Sequence, residues 1–232
     1  MQRAFCAALR QHHGKVVLAS ALAYSSQQQQ QQTSCFFWGS RKTDDPQRKP
    51  GDVPLPTTTT TTPKPSLLVK EPKTGVEFVS ESDGLELKGC GVRLKFGLVP
   101  VYAVALYAPP KATFETLKSQ RKEIRMTLVR TIDRTTFVTA IEEQVAKRCD
   151  DRKQVDAFRD MCTAKLNPKL VTGTTTALLL ESDGKVALSV DGIMEAFVYV
   201  PQVADALLDV YLGPDSVSPT ARDSIKRGLA PP

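Results

Sequence analysis

Residues 85–107, reading LELKGCGVRLKFGLVPVYAVALY, constrain the chain more than any other stretch. Leu85 and Leu87 alternate with Glu86 and Lys88, the period of a strand with one buried face. Residues 101–107 are a second β-prone run, with Tyr102 and Tyr107 among small aliphatic residues, and a break at Gly97 to Pro100 separates the pair. Within it Arg93 is the one arginine, set among apolar neighbours. Period two puts Leu85, Leu87, Gly89, Gly91 and Arg93 on one face if no bulge intervenes, and the glycines on either side of Cys90 allow a bulge. Arg93 is either an ordinary exposed strand residue or a charge held on the apolar side. Arg93 and Tyr102 form the candidate site.

The remaining elements follow from period and punctuation. Residues 76–80 and 85–96 read as strands joined across Ser82-Asp83-Gly84, and 101–107 as a third strand closed by Pro109-Pro110. Residues 112–120 are expected as a short helix and 124–132 as a fourth strand. The period then changes: Phe137, Ile141 and Val145 recur every four residues between Asp133, a candidate N-cap, and Cys149. Residues 154–166 form a second helix, stopped by Asn167-Pro168. Strands are expected at 174–181 and 185–190, with Ser182-Asp183-Gly184 as the hairpin signal, and at 196–200. Pro201 opens a helix that turns Val203, Leu207 and Val210 or Tyr211 inward and ends at Gly213-Pro214. The last helix has Ser218 at its N-cap, Pro219 in its first turn, Ala221 and Ile225 inward and Gly228 near its end. Strands early and late with helices between and after them predict an α+β class, a large antiparallel sheet with helices layered on one face.

Residues 67–232 make up this domain. Residues 1–43 carry five of the six net positive charges and no carboxylate, with Arg3, Arg10 and Lys15 interrupting an apolar series. Acid-poor, Arg-containing leaders rich in Ser and Gln are the mark of organelle import, so a transit peptide is expected here, for the mitochondrion or, as an alternative, the plastid. A run of glutamines at 27–32 and of threonines at 57–62 cannot bury enough apolar surface to order the chain, and residues 44–66 read as a disordered Pro/Thr-rich linker. The body of the chain keeps a net charge of about +1 with lysines and glutamates interleaved, which gives no basic stripe for nucleic acid. No apolar run approaches the ~18 residues of a transmembrane segment.

Exclusions narrow the chemistry. His12 and His13 both lie in the leader, so the domain has no histidine for zinc, for a Ser-His or Cys-His nucleophile or for general base work. Five cysteines include no CxxC pair, and Cys90 is expected as a small buried filler. Glu142-Glu143 and Asp150-Asp151 are sequence neighbours, which a helix points apart. No glycine loop is spaced to cradle a phosphate, and no cofactor or metal is implied.

Five segments carry a resemblance: GCGVRLKF with VYAVALY, LVRTIDRTTFVTAIEEQV, GTTTALLL and ALLDVYLGPDSVSPTARDSIKRGL. Over nearly all of residues 74–229 the domain resembles the chalcone isomerase family. That implies an open-faced β-sandwich, with a ligand cleft between a large antiparallel sheet and its helices. Arg93 falls on the family's arginine, which in chalcone isomerases attracts the substrate's phenolate. The family's threonine in the next strand becomes Tyr102, its catalytic tyrosine Phe137, its lysine Ala140, its asparagine Gln144 and its helix-end hydroxyl residue Val210. A site without these donors binds a polyhydroxylated ring system poorly, so flavanone formation is not expected.

What is left is similar to the family's fatty-acid-binding branch, in which an arginine and a tyrosine hold a carboxylate. The expected ligand residues are Arg93, Tyr102, Tyr107, Phe137, Ala140, Gln144 and Val210, and the expected function is non-catalytic binding of a fatty acid or similar lipophilic carboxylate. One alternative is an isomerase, an intramolecular lyase on an unknown substrate, with Arg93 as electrophile and Tyr102 as proton donor. Another is a helper or scaffold that meets a protein partner through the sheet or the Pro-rich arm.

Overall fold

A computed structural model describes residues 67–230; the leader and linker expected at 1–43 and 44–66 lie outside the described residues. Its centre is a seven-stranded antiparallel sheet in the order β11-β10-β9-β6-β5-β4-β3. These strands are β3 (Glu81–Ser82), β4 (Leu85–Lys95), β5 (Val99–Ala108), β6 (Lys122–Leu128), β9 (Thr175–Leu180), β10 (Lys185–Val190) and β11 (Ile193–Tyr199). Two small ladders complete it, β1 (Leu68–Lys70) with β2 (Glu77–Val79) and β7 (Ile132–Asp133) with β8 (Lys169–Leu170). The helices are α1 (Arg134–Ala146), α2 (Arg152–Lys165), α3 (Pro201–Leu212) and α4 (Pro219–Leu229). None is long and apolar enough to cross a membrane.

Alternation sorts the central strands into two faces. Tyr102, Val104 and Leu106 of β5 align across the ladder with Leu128, Met126 and Ile124 of β6, and this inner face packs under all four helices as the main core. The outer face carries Ala103, Ala105 and Tyr107, over which Phe78 and Leu85 pack as a smaller cluster. Periodic apolar residues set the helices, and a side chain caps two of them; Asp133 stands at the N-cap of α1 but makes no capping hydrogen bond. In α1 Phe137, Ile141 and Val145 are all buried, as their spacing of four requires. Helix α2 begins earlier than its apolar period, because Asp151 caps it by accepting from the Lys153 and Gln154 amides. Ser218 caps α4 through the Ala221 amide, and Pro219 fills the first position, which needs no donor.

A bulge at Lys88 decides which side Arg93 faces. Leu87 pairs with Tyr107 but Gly89 pairs with Leu106, so Lys88 is the extra residue and the alternation reverses there. Leu85 and Leu87 therefore turn to the outer face, whereas Gly89, Gly91 and Arg93 turn to the helices. The continuous alternation expected from Leu85 to Arg93 is thus corrected by one residue.

The glycines serve the helix above them. A Cβ on Gly89 would lie 2.5 Å from the Ile225 amide nitrogen, and one on Gly91 would collide with the backbone of Ala221. Helix α4 lies backbone to backbone on β4, and it also completes the sheet edge. Beyond the short β3, the Cys90 and Val92 amides donate to Ser224 Oγ and Thr220 Oγ1, both at 3.2 Å, and Ser218 Oγ donates to the Val92 carbonyl at 2.7 Å. Hydroxyls at 220 and 224, one turn apart, stand in for a neighbouring strand and close an edge that would otherwise template aggregation.

Two sequence expectations fail for local reasons. Residues 112–120 form only a single 3-10 turn at Leu117–Ser119, because Thr113 and Thr116 bond each other's amides through their hydroxyls and compete with a helix. The fourth strand, expected to run to 132, ends at Leu128; residues 132–133 pair separately with 169–170.

Gly91→Ala is expected to cost about 3 kcal/mol in urea denaturation, since the new methyl meets backbone that cannot rotate away. A loss below about 0.5 kcal/mol, the size of an ordinary surface substitution, would contradict the close packing of α4 on β4.

Candidate functional site

Arg93 and Tyr102 are directly opposite each other on β4 and β5, so their side chains leave the same face side by side. They open into a cleft of about 1040 Å3 between the inner face of the sheet, α1 and the end of α3. Phe137, Ala140, Gln144 and Val210 line the same cleft. Phe137 and Val210 are its buried apolar lining, and its exposed lining is polar and charged, with Thr131, Thr135, Thr136 and Thr139 beside Lys95, Arg130, Asp133 and Glu143. A concave site that combines buried apolar residues with polar and charged groups can hold a small molecule.

The Arg93 guanidinium is half-buried. Nη1 donates to the Val217 carbonyl at 2.8 Å, which fixes the side chain, and among the described residues it forms no ion pair. Several other arginines are paired, Arg125 with Glu123, Arg148 with Asp209 and Arg159 with Glu142, Asp156 and Asp160, whereas Arg134, also without an ion pair among the described residues, donates to the Leu166 carbonyl and does not line the cleft. A half-buried cation with donors to spare in the lining of a cleft attracts an anion.

Tyr102 brings a partner that the sequence did not single out. Its hydroxyl lies 3.0 Å from that of Tyr211, which in turn donates to Met126 Sδ at 3.2 Å. Tyr211 was legible as an inward residue of α3, one turn after Leu207, but nothing local marked it as part of a site. The Tyr102 ring also meets Phe137 edge to face, at 6.2 Å between centroids. Burial pushes the Tyr102 phenol up and outweighs the Tyr211 hydrogen bond and the Arg93 charge, which lower it. Tyr211 is driven well above its ordinary value, first by burial and then by Tyr102. Both phenols stay protonated at neutral pH. With Tyr211 donating to sulfur, Tyr102 donates to Tyr211.

Tyr107 does not belong to this cleft. It stands five residues from Tyr102, an odd number, so the strand turns it to the outer face. There its hydroxyl donates to the Val79 carbonyl and the Arg125 guanidinium lies 4.6 Å above its ring. Burial pushes its phenol up to about 12. Tyr107 is withdrawn from the site and is a structural residue of the outer cluster. Gln144 is steadied by Arg148, which donates to its carbonyl and its Oε1.

Cys90 is half-buried on the outer face rather than fully buried as expected. Burial, with Glu71 nearby, pushes its thiol up and away from the nucleophilic thiolate.

Residues 71–229 match a family described as chalcone isomerase-like. The fold is similar to the crystal structure of a fatty-acid binding protein from Arabidopsis thaliana, with a TM-score of 0.60 and 19% identity, over 70% of this chain and 97% of that one. No curated protein matches the chain. At this identity the likeness to the plant protein shows the fold, an open-faced sandwich with helices on one side of its sheet.

The phenol pair makes stability depend on pH. Both folded values lie above 10.0, where the unfolded chain ionises, so the contribution is complete below that pH and is lost as pH rises through the folded values. Melting temperature is expected to drop above about pH 10, and the double variant Tyr102→Phe/Tyr211→Phe to drop less steeply over that interval. Equal slopes would contradict the burial of both hydroxyls.

Proposed function

The chain belongs to the chalcone isomerase-like family, and from that premise we propose that it binds a fatty acid or a similar lipophilic carboxylate without transforming it. The observation that carries the reading is Arg93, a half-buried guanidinium held by one backbone carbonyl and left without a carboxylate among the described residues. Its planar fork matches a carboxylate in two parallel hydrogen bonds, and Tyr102 supplies a further donor from the opposite strand. An acyl tail then lies along Phe137 and Val210, which supply apolar wall in place of hydrogen-bond donors.

Isomerase chemistry needs a proton donor aimed at the substrate. Phe137, at the position the family resemblance gives to a catalytic tyrosine, has no hydroxyl. Tyr102 and Tyr211 are bonded to each other and held protonated by burial, an arrangement suited to holding an anion rather than to passing a proton. The acid-poor leader supports import into an organelle, the mitochondrion first and the plastid as the alternative.

Arg93→Ala is expected to weaken binding of a long-chain fatty acid at least about thirtyfold, the cost of removing one member of a desolvated charge pair, with the fold intact by circular dichroism. Unchanged affinity would overturn the reading. Lipid extraction and mass spectrometry of the purified protein are expected to return fatty acids from the native chain and few from the variant. A fluorescent fusion of the full chain is expected in mitochondria and one lacking residues 1–43 in the cytosol; identical distributions would refute import through the leader.

A further inference from the structure

The turn between β4 and β5 is the most exposed apolar feature near the cleft. Phe96 and Leu98 are 86% and 83% exposed, and Val99 follows at 36%. The chain reverses there with Phe96 at φ +54° and Gly97 at φ +72°. The left-handed region is easy for glycine or asparagine and unfavourable for a bulky aromatic residue, and Phe96 gains no buried packing that would offset it. Its ring projects from the tip, with Lys95 Nζ 5.3 Å from the ring centre.

Lys95 and Arg130 are exposed and line the mouth of the cleft together with Phe96; the exposed carboxylates of the same lining, Asp133 and Glu143, belong to α1 and its cap position rather than to the hairpin. From residue 87 to residue 114 the hairpin and its flanks contain no carboxylate. A small exposed apolar tip with a lysine at its base is a poor match for a rigid protein partner, which needs roughly 800 Å2 of complementary surface on each side. It suits a fluid anionic surface, which moulds around two inserted side chains and meets the cations with headgroups.

We propose that the β4–β5 tip docks the protein on an anionic lipid surface, with Phe96 and Leu98 entering the acyl boundary and Lys95 and Arg130 facing the headgroups. Docking rests on the tip itself and not on the carboxylate reading. If both hold, the mouth of the cleft opens at the bilayer, and a lipophilic acid exchanges with the membrane without crossing water.

Co-sedimentation of the full chain is compared on vesicles of phosphatidylcholine alone and of phosphatidylcholine mixed with phosphatidylglycerol. The native chain is expected to partition at least about tenfold more strongly to the anionic vesicles. Leu98→Asp, at a residue that does not line the cleft, is expected to lower that partition at least about tenfold while fatty-acid binding in solution is unchanged. Phe96→Trp in a Trp38→Phe background gives a local reporter whose emission is expected to shift to the blue on anionic vesicles and to be quenched by brominated lipid. The proposal is overturned if the chain ignores both kinds of vesicle, as it would if the tip served a protein partner. It is equally overturned if Leu98→Asp binds like the native chain or if the reporter is unmoved while the protein is bound, since either result puts contact elsewhere.

Discussion

The backbone contact between α4 and β4 is the constraint on which the domain depends. Two residues without side chains, Gly89 and Gly91, let the helix descend onto the strand, and nothing larger fits. Gly228 answers from the helix side, where a Cβ would strike the Lys88 carbonyl at the bulge. Because the helix sits so close, Ser218, Thr220 and Ser224 reach the strand's unpaired edge. The residue before the cap, Val217, then presents its carbonyl to Arg93. Edge protection and the aiming of the site's cation are thus consequences of one contact.

The electrostatics of the cleft follow from what that contact supplies and what it withholds. Val217 gives Arg93 orientation but no charge, so the guanidinium remains unneutralised by the described residues. The neighbouring phenols are too deeply buried to ionise near neutral pH and do not compete as anions. Desolvation therefore keeps the cation's neighbours neutral, and on the proposed reading the countercharge comes from a ligand. The core that pushes the phenols up also supplies Phe137 and Val210 to the cleft lining, where the proposed tail would lie. The proposed ligand, a polar head at Arg93 with an apolar chain along Phe137 and Val210, agrees with both properties.

Much of the fold was legible because local signals and global packing agree in it. Phe137, Ile141 and Val145 announce α1, Ser218-Pro219 announce the start of α4, and Asp183-Gly184 announce the β9–β10 turn. What was illegible depended on partners far away in sequence. Nothing in GCG separates a bulge from a helix contact, and both are present, the bulge one residue earlier at Lys88. β1 is three exposed residues with no period to read. The resemblance placed Arg93, Tyr102, Phe137, Ala140, Gln144 and Val210 together, which no spacing rule could, and the structure sets all of them around one cleft. Tyr107 was misplaced although simple parity along β5 turns it the other way. Tyr211 was passed over because its importance is a hydrogen bond to a residue 109 positions earlier.

The central claim is that Arg93 selects a carboxylate, with the apolar cleft holding what is attached to it. Titration calorimetry of one long-chain fatty acid against its methyl ester isolates that claim, since the two share a tail and differ in charge. The acid is expected to bind at least about tenfold more tightly than the ester, because the ester cannot form a charge-assisted pair with the guanidinium. Equal affinities would show a cleft that recognises only apolar surface, and would contradict the role given to Arg93.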